Sequence, residues 1–140
     1  RRARPRGRHR ADAPRAYKLM ATIPIPSQVY PPGVIALPQT PVPVGIDRAH
    51  LTLDAVQWTD PQTLLRVQLW LSYDSGVTWL PGGGGTARGE PDRRGKTGLP
   101  LTTVAFMWTW PEPDNPNRRV KGTLTLSGGS LQTSGVLTLE

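Results

Sequence analysis

From residue 47 to the end of the chain, apolar and polar residues alternate with a period of two, the pattern of half-buried β-strands. The clearest run covers residues 65–72. On one side of it lie Leu65, Val67, Leu69 and Leu71, and on the other lie Arg66, Gln68, Trp70 and Ser72. Further runs cover residues 51–58, 104–110, 120–126 and 131–139, and none of them has the helical period of about 3.6 residues.

This spacing predicts six or seven short strands within one domain, residues 47–140. The expected fold class is all-β: a single antiparallel β-sandwich or barrel, Ig-like or jelly-roll-like, with an extended N-terminal arm. Residues 127–130 (SGGS) predict a hairpin turn. The glycine-rich residues 82–100 predict a long loop, for which we expect a role in contacts between subunits.

The aromatic residues divide into two groups by their position in the alternation. Phe106, Trp108 and Trp110 share one face of their run and are expected in the core. Trp70 lies on the polar side of its run and is therefore expected at the surface, where an aromatic ring suits a sugar or a protein interface.

Residues 21–46 combine seven prolines with many apolar side chains. Proline fixes φ and lacks an N–H group, so no helix or central strand is expected there. One interpretation is a polyproline-type linker. We favour a Pro-rich extended strap that lies across a surface, either of its own domain or of a neighbouring subunit. The residues expected to bind that partner are Ile23, Ile25, Val29, Tyr30, Val34, Ile35 and Leu37.

The formal net charge of +7 is carried entirely by the first 20 residues, a basic extended arm, because the charges of residues 21–140 cancel. Its cations are Arg1, Arg2, Arg4, Arg6, Arg8, Arg10, Arg15 and Lys18, and its one acid is Asp12. Such an arm can neutralise the phosphates of a nucleic acid, or it can pair with carboxylates on an acidic protein surface. We expect its cations to bind a partner, with protein preferred and nucleic acid as an alternative.

Catalytic and metal-binding chemistry finds little support in the sequence. The chain has no cysteine and two histidines, His9 and His50, so no His/Cys cluster has metal-ligand spacing. A calcium loop could be lined by Glu112, Asp114, Asn115 and Asn117, but the prolines there break the EF-hand pattern. We therefore expect no enzyme activity, no cofactor and no metal. No apolar run approaches the roughly 20 residues of a membrane helix, so no membrane partner is expected.

One motif has every defining position filled. Residues 72–79 (SYDSGVTW) resemble the Asp-box, a hairpin turn that recurs in sialidase propellers away from their catalytic centre. Its defining residues are Ser72, Asp74, Gly76, Thr78 and Trp79. The Asp74 carboxylate is expected to accept hydrogen bonds from turn amides, while Gly76 supplies a positive φ. This resemblance implies a structural turn and carries no function with it.

The layout of the chain resembles the minor structural proteins of tailed-bacteriophage virions, such as capsid decoration (cement) proteins and tail-associated β-sandwiches. The resemblance lies in residues 47–140, in the style of LWLSYDSGVTW and GTLTLSGGSLQTSGVLTLE. It implies a non-enzymatic protein located in the virion. Such a protein would bind neighbouring coat or tail subunits through its arm and strap, and we expect it to be a homo-oligomer.

Two other functions remain open at this point. A carbohydrate-binding β-sandwich module is suggested by the five tryptophans. A nucleic-acid-associated protein is suggested by the basic arm alone.

Overall fold

The structure is a computed structural model, and it describes residues 20–89 and 102–140. The described elements are all strands: β1 (Ala21–Tyr30), β2 (Gly33–Pro41), β3 (Arg48–Trp58), β4 (Leu64–Ser72), β5 (Leu80–Arg88), β6 (Thr102–Thr109), β7 (Arg119–Ser127) and β8 (Leu131–Leu139).

The strands form two four-stranded antiparallel sheets. The first sheet has the order β1-β8-β3-β6, and the second has the order β2-β7-β4-β5. Apart from the β4–β5 hairpin, every connection between consecutive strands crosses from one sheet to the other. This connectivity is that of an eight-stranded jelly roll, so the predicted all-β sandwich is confirmed and its topology is the jelly-roll alternative.

Alternation explains how these strands enclose a core. In β4, Leu65, Val67, Leu69 and Leu71 are buried while the residues between them face outward. The same period places Leu51 and Leu53 of β3 and Leu124 and Leu126 of β7 in the interior. Burying each such side chain stabilises the fold by about 1.5–3 kcal/mol. The core therefore lies between the two sheets, and the outer face of each sheet is left for other contacts.

The Pro-rich residues were predicted to form a strap separate from the domain of residues 47–140. In the structure they supply two strands of the sandwich, β1 and β2. β1 pairs with β8 from Ala21↔Leu139 to Tyr30↔Leu131, and β2 pairs with β7. Both strands lie at the edge of a sheet, where proline is tolerated because one side needs no donor. Each has a register shift, between Ile25 and Gln28 in β1 and between Leu37 and Thr40 in β2.

Two predicted connections also differ in the structure. The SGGS residues do not form a hairpin, because β7 and β8 belong to opposite sheets and the turn crosses between them. The first part of the glycine-rich stretch is strand β5 rather than loop. The rest of that predicted loop, residues 90–101, lies outside the described residues.

Aromatic residues in and directly after β6 pack against the glycines of β5 and close one side of the sandwich. Trp110 is buried, and the partly buried rings of Phe106 and Trp108 stack with centroids 5.8 Å apart and pack against the core. The indole of Trp110 donates a hydrogen bond of 2.6 Å to the carbonyl of Gly82 in the opposite sheet. The three aromatic residues that were predicted to lie in the core therefore pack against the glycine-rich strand β5.

Candidate functional site

The eight arm cations, Arg1, Arg2, Arg4, Arg6, Arg8, Arg10, Arg15 and Lys18, lie outside the described residues. Their binding role therefore stays a prediction. The described part of the chain fixes where the arm is attached, since Met20 precedes β1 and Ala21 pairs with Leu139 near the chain's last residue.

The seven strap residues are separated by the fold. Ile23, Ile25, Tyr30 and Leu37 are buried in the chain's own core, so they are not available to another molecule. Ile35 is half-buried and packs against that core. Val29 and Val34 are 53% and 66% exposed, on either side of the Pro31-Pro32 corner between β1 and β2. Of the expected strap contacts, this corner is the part that a partner can reach.

Residues 72–79 form the hairpin turn between β4 and β5, and their hydrogen bonds converge on two side chains. Asp74 Oδ1 accepts a bond of 2.8 Å from the Thr78 amide and another of 2.8 Å from the Ser72 hydroxyl. Ser72 Oγ in turn accepts bonds from the amides of Gly76 and Asp74. Gly76 has φ of 94°, which an L side chain adopts with strain.

The electrostatics of this turn agree with a structural role. Hydrogen bonds from Thr78 and Ser72 hold the pKa of the exposed Asp74 carboxyl below its ordinary value. The Trp79 ring lies near Gly76 and is covered on one side by the ammonium of Lys121, 4.3 Å from its centroid. The side chains of this turn are thus engaged with one another.

A buried arginine that the sequence does not distinguish holds the same end of the sandwich together. Arg118 is 1% exposed, and its guanidinium donates to the carbonyls of Pro43, Pro111, Pro113 and Asn115 at 3.1–3.4 Å. Burial lowers the pKa of this group, and Tyr73, Asp47, Glu112 and Asp114 oppose that shift. Arg118 therefore joins the loop of residues 111–117 to the β2–β3 connection.

The outer face of the second sheet is cationic. Its outward positions include Arg66 of β4, Arg88 of β5, and Arg119 and Lys121 of β7, whereas the four described strands of this sheet contain no Asp or Glu. Trp70 lies half-buried among them, opposite Lys121 on one side and Pro81 on the other. We call this surface, defined by Arg66, Gln68, Trp70, Arg88, Arg119 and Lys121, the cationic face.

Reactive groups are sparse in the described part of the chain. His50 is half-buried; its Nε2 lies 3.3 Å from the Thr52 hydroxyl and its Nδ1 lies 3.8 Å from Glu140. Within residues 20–89 and 102–140, no three His, Asp or Glu side chains are grouped as metal ligands. The same residues include no helix that is long and apolar enough to cross a membrane.

No model of a known protein family matches the sequence, and no curated protein does. Among solved structures, the chain is similar to a chain of infectious bursal disease virus, Gx strain, with a TM-score of 0.52 and 14% sequence identity. The similarity covers 86% of this chain and 31% of the viral one, so this chain spans less than a third of the viral chain's length. It shows a shared fold.

Proposed function

We propose that the protein is a non-enzymatic structural subunit of a virion. The observation that carries this proposal is the jelly-roll connectivity, together with the similarity of that fold to a chain from a virus structure. Eight-stranded jelly rolls recur in viral capsid domains. Here the two packed sheets form a body whose ends and outer faces are free to meet neighbours.

The proposed contacts with neighbouring coat or tail subunits are the arm and the β1–β2 corner. The arm supplies arginines that pair bidentately with carboxylates of an acidic neighbour. The corner supplies Val29 and Val34, whose burial against a neighbour would each contribute up to about 1.5–3 kcal/mol. Repetition of these modest contacts over many copies gives avidity. Within this role, we favour a decoration or tail-associated protein of a tailed bacteriophage that acts as a homo-oligomer.

Immunogold electron microscopy on particles from cells that encode the chain tests the location directly. An antibody against the purified protein should label intact particles at regular positions. Recovery of the chain in the soluble fraction alone, with unlabelled particles, would contradict the proposal.

The corner is tested with a matched pair of valines at opposite ends of the sandwich. Val34→Lys places a charge at the β1–β2 corner, and Val77→Lys places one in the β4–β5 turn, where the valine is 81% exposed. We expect Val34→Lys to lower incorporation into particles about tenfold, which corresponds to about 1.4 kcal/mol. Val77→Lys should leave incorporation unchanged. Equal effects of the two variants would exclude the corner as a specific contact.

A further inference from the structure

The two outer faces of the sandwich differ in charge, although both are made of short alternating strands. The strands of the second sheet carry four cations, Arg66, Arg88, Arg119 and Lys121, and no described acid. The strands of the first sheet carry one cation, Arg48, and one acid, Asp54. Among the strand residues, therefore, the second sheet alone carries an excess of positive charge.

The cations lie along a line that crosses the sheet. Arg88 is opposite Leu64, Lys121 is opposite Trp70, and Arg119 is opposite Ser72, so the positive positions extend over the nine residues of β4, which are eight steps along the strand. At about 3.3 Å per residue, this line is about 26 Å long. Such a length suits an extended ligand with several charges better than a single small anion.

Trp70 supplies an aromatic surface within this line. It alternates with the buried Leu69 and Leu71, so its ring faces outward from the sheet. Its neighbours on β5 are Pro81 and a run of glycines, and the outward-facing Gly84 has no side chain to cover it. Gln68 is held beside the glycine strand by bonds from its amide to the carbonyls of Gly83 and Leu69.

We propose that the cationic face binds an acidic oligosaccharide that carries uronic acid carboxylates. The apolar face of a sugar ring would stack on Trp70, while Arg66 and Lys121 pair with carboxylates on either side. The planar guanidinium of Arg66 matches a carboxylate bidentately. The threonines opposite β4, Thr123 and Thr125 of β7, offer hydroxyl groups to the sugar hydroxyls.

Two other kinds of ligand fit this surface less well. A single-stranded nucleic acid stacks successive bases on several aromatic rings, but the described strands of the second sheet contain one aromatic residue, Trp70. An acidic protein would need an apolar interface centre with several large side chains. Around Trp70 the outward residues are instead Gln68, Thr123, Gly84 and Pro81.

The test uses the full chain and a galacturonic acid hexamer as the probe, with binding measured by calorimetry and by NMR shift perturbation. The matched variants are Arg66→Gln on the cationic face and Arg48→Gln on the first sheet. Both variants retain the basic arm, so any binding of the hexamer by the arm contributes equally to the two Kd values. We expect Arg66→Gln to raise Kd about fivefold, as for loss of one charge pair, and Arg48→Gln to leave it within about twofold.

Further arms of the experiment separate stacking, charge and ligand class. Trp70→Ala should raise Kd about tenfold, and the hexamer with methyl-esterified carboxylates should bind at least about tenfold more weakly than the acid. Shifts should centre on the Trp70 indole and on β4 and β7. If Trp70→Ala fails to fold, two comparisons still test the proposal: Arg66→Gln against Arg48→Gln, and the acid hexamer against its methyl ester.

The inference is overturned by equal Kd values for Arg66→Gln and Arg48→Gln, or by shifts that avoid the second sheet. Failure of the hexamer to bind at millimolar concentration would also overturn it. Tighter, Trp70-dependent binding of oligothymidylate would assign the face to nucleic acid instead. The proposal goes beyond the virion role, and unlabelled particles in the immunogold experiment would leave it intact.

Discussion

Gly83 of β5 lies directly against the indole of Trp108 in the opposite sheet, so that a Cβ atom added to the glycine would stand 2.5 Å from the Trp108 Cδ1 atom. Two residues further along β5, Gly85 has the same relationship to Phe106. The indole of Trp108 also donates a hydrogen bond of 3.2 Å to the carbonyl of Gly84. The run of glycines thus allows two aromatic rings to bring the edges of the two sheets together.

Replacing Gly83 by alanine should destabilise the protein by about 1–3 kcal/mol, because the methyl group overlaps the Trp108 ring. The φ of 146° adds strain for any L side chain. Urea unfolding measures the loss. The outward-facing Thr86→Ala on the same strand is the control and should change stability by less than about 0.5 kcal/mol. A Gly83→Ala protein as stable as this control would show that the ring moves aside freely.

Arg118→Met should lower the free energy of unfolding by about 3 kcal/mol or more, because four loop carbonyls lose a buried donor at once. The adjacent Arg119→Met removes one exposed bond to Gln39 and should cost less than about 1 kcal/mol. Amide exchange should also accelerate in residues 111–117 of the Arg118 variant. Similar losses in the two variants would contradict a central role for the buried guanidinium.

Thr63→Val should stabilise the protein by about 1 kcal/mol. The hydroxyl of Thr63 is fully buried and has no hydrogen-bond partner among the described residues. The same position also approaches Gly129 closely. Thermal unfolding of Thr63→Val and of Thr63→Ser, which keeps the hydroxyl and loses the methyl group, separates the two contributions. A destabilised valine variant would mean that the hydroxyl is satisfied in solution.

Asp74→Asn should change the pH dependence of stability in a defined direction. The pKa of Asp74 is lowered in the folded state, so its charged form stabilises the fold above the ordinary carboxyl pKa, and this contribution is lost as the pH falls through the folded-state pKa. The wild type should therefore be more stable than the variant at neutral pH, with the difference shrinking in acid. Denaturant unfolding at several pH values measures the free energy of unfolding of both proteins. A difference between wild type and variant that stays constant with pH would contradict the prediction.

Local alternation was sufficient to predict the fold class. From Leu65 to Leu71 the inward and outward positions of β4 follow the sequence, whereas Ser72, expected on the outward side, is buried. The prediction of an all-β sandwich needs no more than several such runs. Strand pairing was beyond reach, because it depends on contacts far apart in sequence. The SGGS turn has the composition of a hairpin, yet β7 and β8 pair with different neighbours.

For the Pro-rich residues, the proline rule gave a correct exclusion but did not reveal the two edge strands. Proline excludes a central strand, and both β1 and β2 are edge strands, which the rule permits. Ile23, Ile25 and Leu37 carried the signal, since their apolar spacing is that of a half-buried strand. Prolines between these apolar residues, such as Pro24, concealed the strand pattern in the sequence.

Of the candidate sites, the sequence indicated Trp70 as an outward residue but did not show its surroundings. The cationic face becomes visible once register places Lys121 opposite Trp70 and Thr125 opposite Arg66, since these partners are more than fifty residues apart in the chain. Arg118 and Arg119 look alike in the sequence, and only the packing of the loop of residues 111–117 distinguishes the buried one.

The prolines of β1 and β2 leave the sandwich with two unlike rims. A strand from a second molecule needs an uninterrupted row of backbone donors, and Pro24, Pro26, Pro38 and Pro41 break that row on one rim. On the opposite rim, β6 contains no proline and β5 contains one, at its start. Misassembly by strand addition or fibril growth is therefore expected to be blocked by proline at the β1–β2 rim, whereas on the β5–β6 rim the indoles of Trp108 and Trp110 occupy two carbonyls of β5.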